Sequence, residues 1–172
     1  MSTSTTAPAM PSAKEQWLQI FRHERAITLK LMKAFPPDRG DFQPHPRSQS
    51  ARRLMWTFVT ELKLGSDAMV GPIKLPPDHG EQPATVEATI AAYERAVREA
   101  DAAVSQAPES RLFETMPFFT GPGQMGEIRV LDFIWLMLMD SIHHRGQLSV
   151  YIRMAGGKVP SIYGPSADEP WM

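Results

Sequence analysis

Cysteine is absent from the 172 residues, which excludes disulfides, thiolate metal ligands and a cysteine nucleophile, and fits a cytoplasmic protein. Long apolar runs are absent too. The longest is "FIWLMLM", 133–139, far short of the ~20 residues that span a bilayer, so no membrane partner is expected. Charge of one sign is lacking: the net charge is −1, and a nucleic-acid partner would need clustered positive charge. The local cluster Arg47, Arg52 and Arg53 reads as a solvated helix start. Strand-like alternation is scarce. "RLFETMPFF" is the one candidate, and Pro117 demotes it to an edge or a loop. No Glu-x-x-His occurs, which sets aside a di-iron carboxylate bundle.

What is present is an ordinary globular composition, 42% hydrophobic and 22% charged. A chain of this length buries ~70% of its unfolded surface in one domain. Residues 1–12, "MSTSTTAPAMPS", are small, polar and uncharged, without the basic start and apolar stretch of a signal peptide. They read as a disordered tail, leaving 13–172 as a single domain.

The periodicity is helical throughout. Ser12 with Glu15 is a capping box, followed by Trp17, Ile20, Ile27 and Leu31 on one face and the stop Pro36-Pro37. A second helix starts near Ser48 or Ser50, carries Leu54, Phe58, Leu62 and Met69, and ends before Gly71-Pro72. A third opens at Thr85 with Glu87 in its first turn, and its stripe is Val86, Ile90, Tyr93, Val97 and Val104. The fourth, about 127–155, is apolar nearly all round, as a central or subunit-facing helix is, and Gly156-Gly157 supplies a left-handed cap. Four such helices predict an all-α four-helix bundle. The links run to about 13, 15 and 20 residues where antiparallel neighbours need roughly 2–8, which permits crossovers and an up-down-down-up order. The segment "MPFFTGPGQMG", 116–126, could wall a pocket, or Phe118 and Phe119 could plug the end of the core.

The fourth helix carries Asp140, His143, His144 and Arg145 amid apolar residues. Residues four apart lie about 40° apart around a helix and ~6 Å along it, so Asp140 and His144 can share one ion. His143 points about 100° away from His144 and cannot join it. The plainer alternative is a satisfied buried network in which Asp140 accepts from His144 or Arg145.

The segment "HHRGQLSVYIRMAGGKVPSIYGPSADEP", 143–170, resembles the C-terminal signature of the DinB-like (DinB/YfiT) superfamily, and "FQPHPRSQSARRLMW", 42–56, is similar to the entry into that family's second helix. The resemblance implies a four-helix bundle, commonly dimeric, with a divalent metal on three histidines: one on the second helix and two at i and i+4 on the last. Some members are thiol-dependent S-transferases or isomerases. By this resemblance the ligand within HHRGQ is His144; four residues earlier this chain has Asp140, and the second-helix position falls at about Thr57. No histidine lies between His45 and His79. Glu61, one turn after Thr57, or His23 or His45, could replace the third ligand.

Two readings follow. In the first, the site is degenerate, closed by Asp140 hydrogen-bonding Thr57 and His144; no cofactor is expected, and the bundle is non-catalytic or binds a small molecule as a homodimer. In the second, Asp140 and His144 with a third ligand hold zinc, nickel or iron in a metal-dependent transferase or hydrolase of the thiol S-transferase type. Arg145, Gln147, Tyr163 and Trp171 read as structural, tying the last helix and the tail to the bundle.

Overall fold

The computed structural model describes residues 10–172. The expected tail therefore lies mostly outside the described residues. Four long helices carry the structure: α1 (Ala13–Ala34), α2 (Ala51–Val70), α3 (Val86–Gln106) and α4 (Val130–Met154). Their ends follow local chemistry. Ser12 and Glu15 close a reciprocal capping box on α1, while Ser50 and Thr85 accept from the third-residue amides of α2 and α3. At the other end of α4, Gly156 takes a φ of 88° and the Gly157 amide donates to the Ile152 carbonyl. A side chain at Gly157 would meet the Ala34 carbonyl and Pro36, so the end of α4 is seated on the end of α1.

The strand candidate around Pro117 forms an edge strand, and a partner strand that the sequence reading did not contain has to be added. β1 (Thr115–Gly121) and β2 (Gln124–Arg129) form an antiparallel hairpin between α3 and α4, with Met116 opposite Ile128 and Phe118 opposite Gly126. Pro117 is tolerated because a two-stranded ribbon has only edges. The signal for the turn was Gly121-Pro122-Gly123: proline presets its φ and Gly123 adopts a φ of 68°. Phe118 packs edge-on against Phe133 of α4, while Phe119 is half exposed, so one of the two aromatics closes the core and the other does not.

The helices form one apolar core, with Phe21, Leu31, Met32, Leu54, Phe58, Tyr93, Phe133 and Ile134 almost fully buried. Ile20, expected on the inner face of α1, is 41% exposed, and Phe21 and Leu18 take the core instead. Both α1 and α2 pack mainly against α3 and α4. Sequential helices α1 and α2 are thus diagonal, which accounts for the long link 35–50; only α2 to α3 joins neighbours.

Arg145 and Glu24 fasten α4 to α1. The guanidinium is 1% exposed and lies 2.7 Å from the Glu24 carboxylate, and it also donates to the Glu24 carbonyl. Tyr163 from the tail donates to the same carboxylate at 2.8 Å and accepts from Arg145. Every charge in this buried group is paired. Removing one partner strands the other in a low-dielectric interior. Arg145→Met should therefore destabilise the protein by about 3–5 kcal/mol, measured as a drop in the urea midpoint at unchanged m-value.

Candidate functional site

On α4, the i, i+4 spacing places Asp140 and His144 on one side of the helix, with His144 Nε2 3.5 Å from Asp140 Oδ2. Across the α2–α4 contact, Glu61 Oε1 lies 3.9 Å from the same nitrogen. One donor atom from each of Glu61, Asp140 and His144 falls within 4.8 Å of the others. Glu61 is buried, His144 largely so, and the Asp140 side chain is 45% exposed, so the group opens to solvent on the Asp140 side.

Hydrogen bonding orients the imidazole. His144 Nδ1 lies 3.2 Å from the Gln147 amide oxygen, and the Gln147 amide nitrogen lies 2.9 Å from His143 Nε2. The amide oxygen can only accept, so Nδ1 carries the proton and donates, leaving the Nε2 lone pair aimed at the two carboxyl groups. His143 is thus no ligand, as its angular offset predicted. Two carboxyl groups and an imidazole lone pair then converge with no donor among them. Such a set calls for a cation or a proton.

Glu61 shows the strain of that arrangement. Neither of its carboxyl oxygens has a hydrogen-bond partner. Burial pushes its pKa up to about 8; nearby Ser141 and Arg25 pull it down in part, and Asp140 pushes it further up. Ser141 and Asp140 act on the carboxyl by proximity, and neither completes a hydrogen bond with it.

Thr57 does not take part. Its hydroxyl donates to the Arg53 carbonyl along α2, so the expected closure of Asp140 by Thr57 and His144 is not formed. The position one turn later, Glu61, faces α4 instead. The other substitutes also fall away: His23 lines an exposed groove on α1 with Gln16, Gln19 and Glu24, and His45 accepts from the Arg47 amide in the loop before α2. The signal that singled out Glu61 was its place one helical turn from Thr57, a carboxylate on the buried face of α2.

The raised Glu61 pKa carries a stability consequence in metal-free protein. The folded state keeps a proton that the unfolded chain releases above its ordinary value of 4.5. Stability from this group is therefore full below pH 4.5 and falls as pH rises toward about 8, by up to ~1.4 kcal/mol per unit. In EDTA, Glu61→Gln should abolish this slope and be more stable than the unsubstituted protein at pH 8, measured by urea denaturation across the window.

A family model, the DinB family, matches residues 1–171. Among solved structures, a DinB-like protein from Bacillus cereus superposes with a TM-score of 0.72 at 21% identity, covering 87% of this chain and 97% of its own. A second, from Bacillus subtilis, gives 0.70 at 20% identity, covering 91% and 99%. At such identities these likenesses speak for the fold alone. No protein of curated function matches the chain. A family match over nearly the full length, together with the four-helix core, places this chain in the DinB family.

Proposed function

We propose that Glu61, Asp140 and His144 hold one divalent cation and that the protein is a metal-dependent enzyme acting on a small molecule. The observation that carries this reading is the unpaired, buried Glu61 carboxyl meeting Asp140 and the bare Nε2 of His144. A donor set of two oxygens and one nitrogen suits zinc, manganese or iron, and three protein ligands leave a place for water or substrate. When bound, such an ion lowers the pKa of a water or thiol and polarises an electrophile.

The chain's own residues prepare the rest. Gln147 holds His144 in the tautomer that offers Nε2, the orienting role that outer partners of metal ligands play. Asp140, at the solvent side, can accept a proton from an incoming nucleophile. The Arg145–Glu24 pair, one residue along, sets the rotation of α4 that aims His144 inward. The competing reading, a metal-free binding module, is supported by the proton that Glu61 retains near neutral pH, which can stand in for a cation.

Elemental analysis of protein prepared without a metal-carrying tag and offered zinc, manganese, iron and nickel separates the two. About one ion per chain is expected, lost in Glu61→Ala and His144→Ala and retained in Thr57→Ala. Absence of metal from the unsubstituted protein would leave the binding-module reading standing.

We also propose a homodimer through the outer face of α4. Leu136, Met139, Val150 and Met154 are exposed there, and their spacing puts them on one stripe. Val150→Glu with Met154→Lys should convert a dimer to a monomer in sedimentation equilibrium without loss of helical signal.

A further inference from the structure

Of the three arginines clustered at the start of α2, Arg52 is committed to structure: it pairs with Asp41 and donates to the Pro83 carbonyl. Arg47 is not. Its backbone amide donates to His45 Nδ1, and none of the ion pairs among the described residues includes its guanidinium. An exposed arginine is ordinarily solvated, so the free charge alone says little. Its setting says more.

The loop that carries Arg47 is fastened to α4. Phe42 meets the Tyr151 ring edge-on, with centroids 6.2 Å apart, and the Tyr151 hydroxyl donates to the Gln49 carbonyl at 3.1 Å. Within the loop, the Gln43 amide donates to the Ser48 carbonyl, the Ser48 amide donates to the His45 carbonyl, and Pro44 and Pro46 fix their own φ. Binding side chains are commonly mounted on loops held by a scaffold, and a backbone already fixed loses little further entropy when a ligand arrives.

Between this loop and α4 lies an open cleft of about 360 Å³, within the roughly 300–1,000 Å³ of small-molecule sites. Arg47, Ser48 and Gln49 line it from the loop, and Gln147 and Tyr151 from α4. No carboxylate is among them, so the guanidinium is the single charge of the lining. The cleft also shares a helix face with the ion group. Asp140, His144, Gln147 and Tyr151 fall within about 60° of one another around α4. Gln147 belongs to both places: its amide oxygen holds His144 Nδ1, and the residue lines the cleft. Tyr151, seven residues beyond His144, lies ~10 Å further along the helix.

We infer that Arg47 anchors a carboxylate of the substrate, ~10 Å from the atom that reacts at the ion, so that the substrate is an elongated small molecule with an acidic far end. This rests on the proposed ion group of Glu61, Asp140 and His144. A planar guanidinium takes a carboxylate through two parallel N–H donors, and one arginine balances one negative charge. The Ser48 hydroxyl and the Gln49 amide stand beside it in the lining as further donors. A contact so far from the reacting atoms changes no bond. It holds the substrate in register on the ion, which is how remote binding energy is converted to rate. A neutral molecule of the same length forgoes it, so Arg47 sets specificity.

The test uses the monohydroxamates of succinic, suberic and sebacic acids, whose hydroxamate chelates a divalent ion and whose far end is a carboxylate, beside the methyl esters of the same compounds. Binding to zinc-loaded protein is measured by calorimetry, with zinc per chain counted in each sample. The suberic and sebacic acids are expected to bind at least tenfold more tightly than their esters, and the succinic compound no more tightly than its ester. Arg47→Gln should erase the advantage while leaving ester affinity and zinc content unchanged. Arg95→Gln, which removes an equal charge from an exposed position on α3, should erase nothing. Equal binding of acid and ester, an advantage as large for the succinic compound, or an advantage that survives in Arg47→Gln overturns the anchor and leaves the ion group standing. Protein that takes up no zinc overturns the ion group and the anchor with it.

Discussion

The buried ion pair between Arg145 and Glu24 is the constraint around which the bundle is arranged. It joins the last helix to the first, and Tyr163 adds the tail to the same carboxylate. Helix α4 is apolar on almost every side, so hydrophobic burial alone leaves its rotation about its own axis weakly determined. A charged pair with fixed hydrogen-bond geometry does determine it, because another rotation would part Arg145 from Glu24 and Tyr163 and leave the buried Glu24 carboxylate without its cation. The residue before it is His144, so the contact that sets the helix also sets the imidazole.

With α4 so oriented, a polar group assembles in a place that should be apolar. Asp140 and His144 come from one helix and Glu61 from a neighbour, and the imidazole tautomer is held by Gln147. The interior behind them continues the same pattern. Glu61 faces Asp140 and His144 on one side and the buried Arg25 guanidinium on the other, whose charge partly offsets the cost of burying the carboxyl. An unsatisfied carboxyl in a core calls for an explanation such as a bound ion, and other buried guanidinium groups among the described residues, Arg145 and Arg111, are satisfied. Arg111, for example, donates twice to the Ala68 carbonyl and once to Glu114.

Much of the fold was legible in one dimension. The capping box at Ser12, the caps at Ser50 and Thr85, and the glycine stop at Gly156 are local chemistry, readable within a few residues. Of the hairpin at 115–129 only the first strand was legible, as an edge candidate around Pro117; its partner was not read, because it is short, carries Gly126 and buries only alternate residues. Ile20 was misplaced by a similar limit: periodicity locates a stripe but not its edges, and Phe21 beside it has the stronger claim on the core.

For the site, the division is physical. The sequence by itself determined that Asp140 and His144 share a helix face, since helical geometry sets the relation of residues four apart. It also determined that Thr57 and Glu61 both lie on one side of α2. Which of them would meet α4 was decided by tertiary structure alone, because it depends on the rotation of two helices whose contact is non-local. There Thr57 bonds its own backbone and Glu61 turns inward. The burial of Arg25 was likewise invisible in one dimension: a charge on an amphipathic helix reads as solvated until packing removes the water.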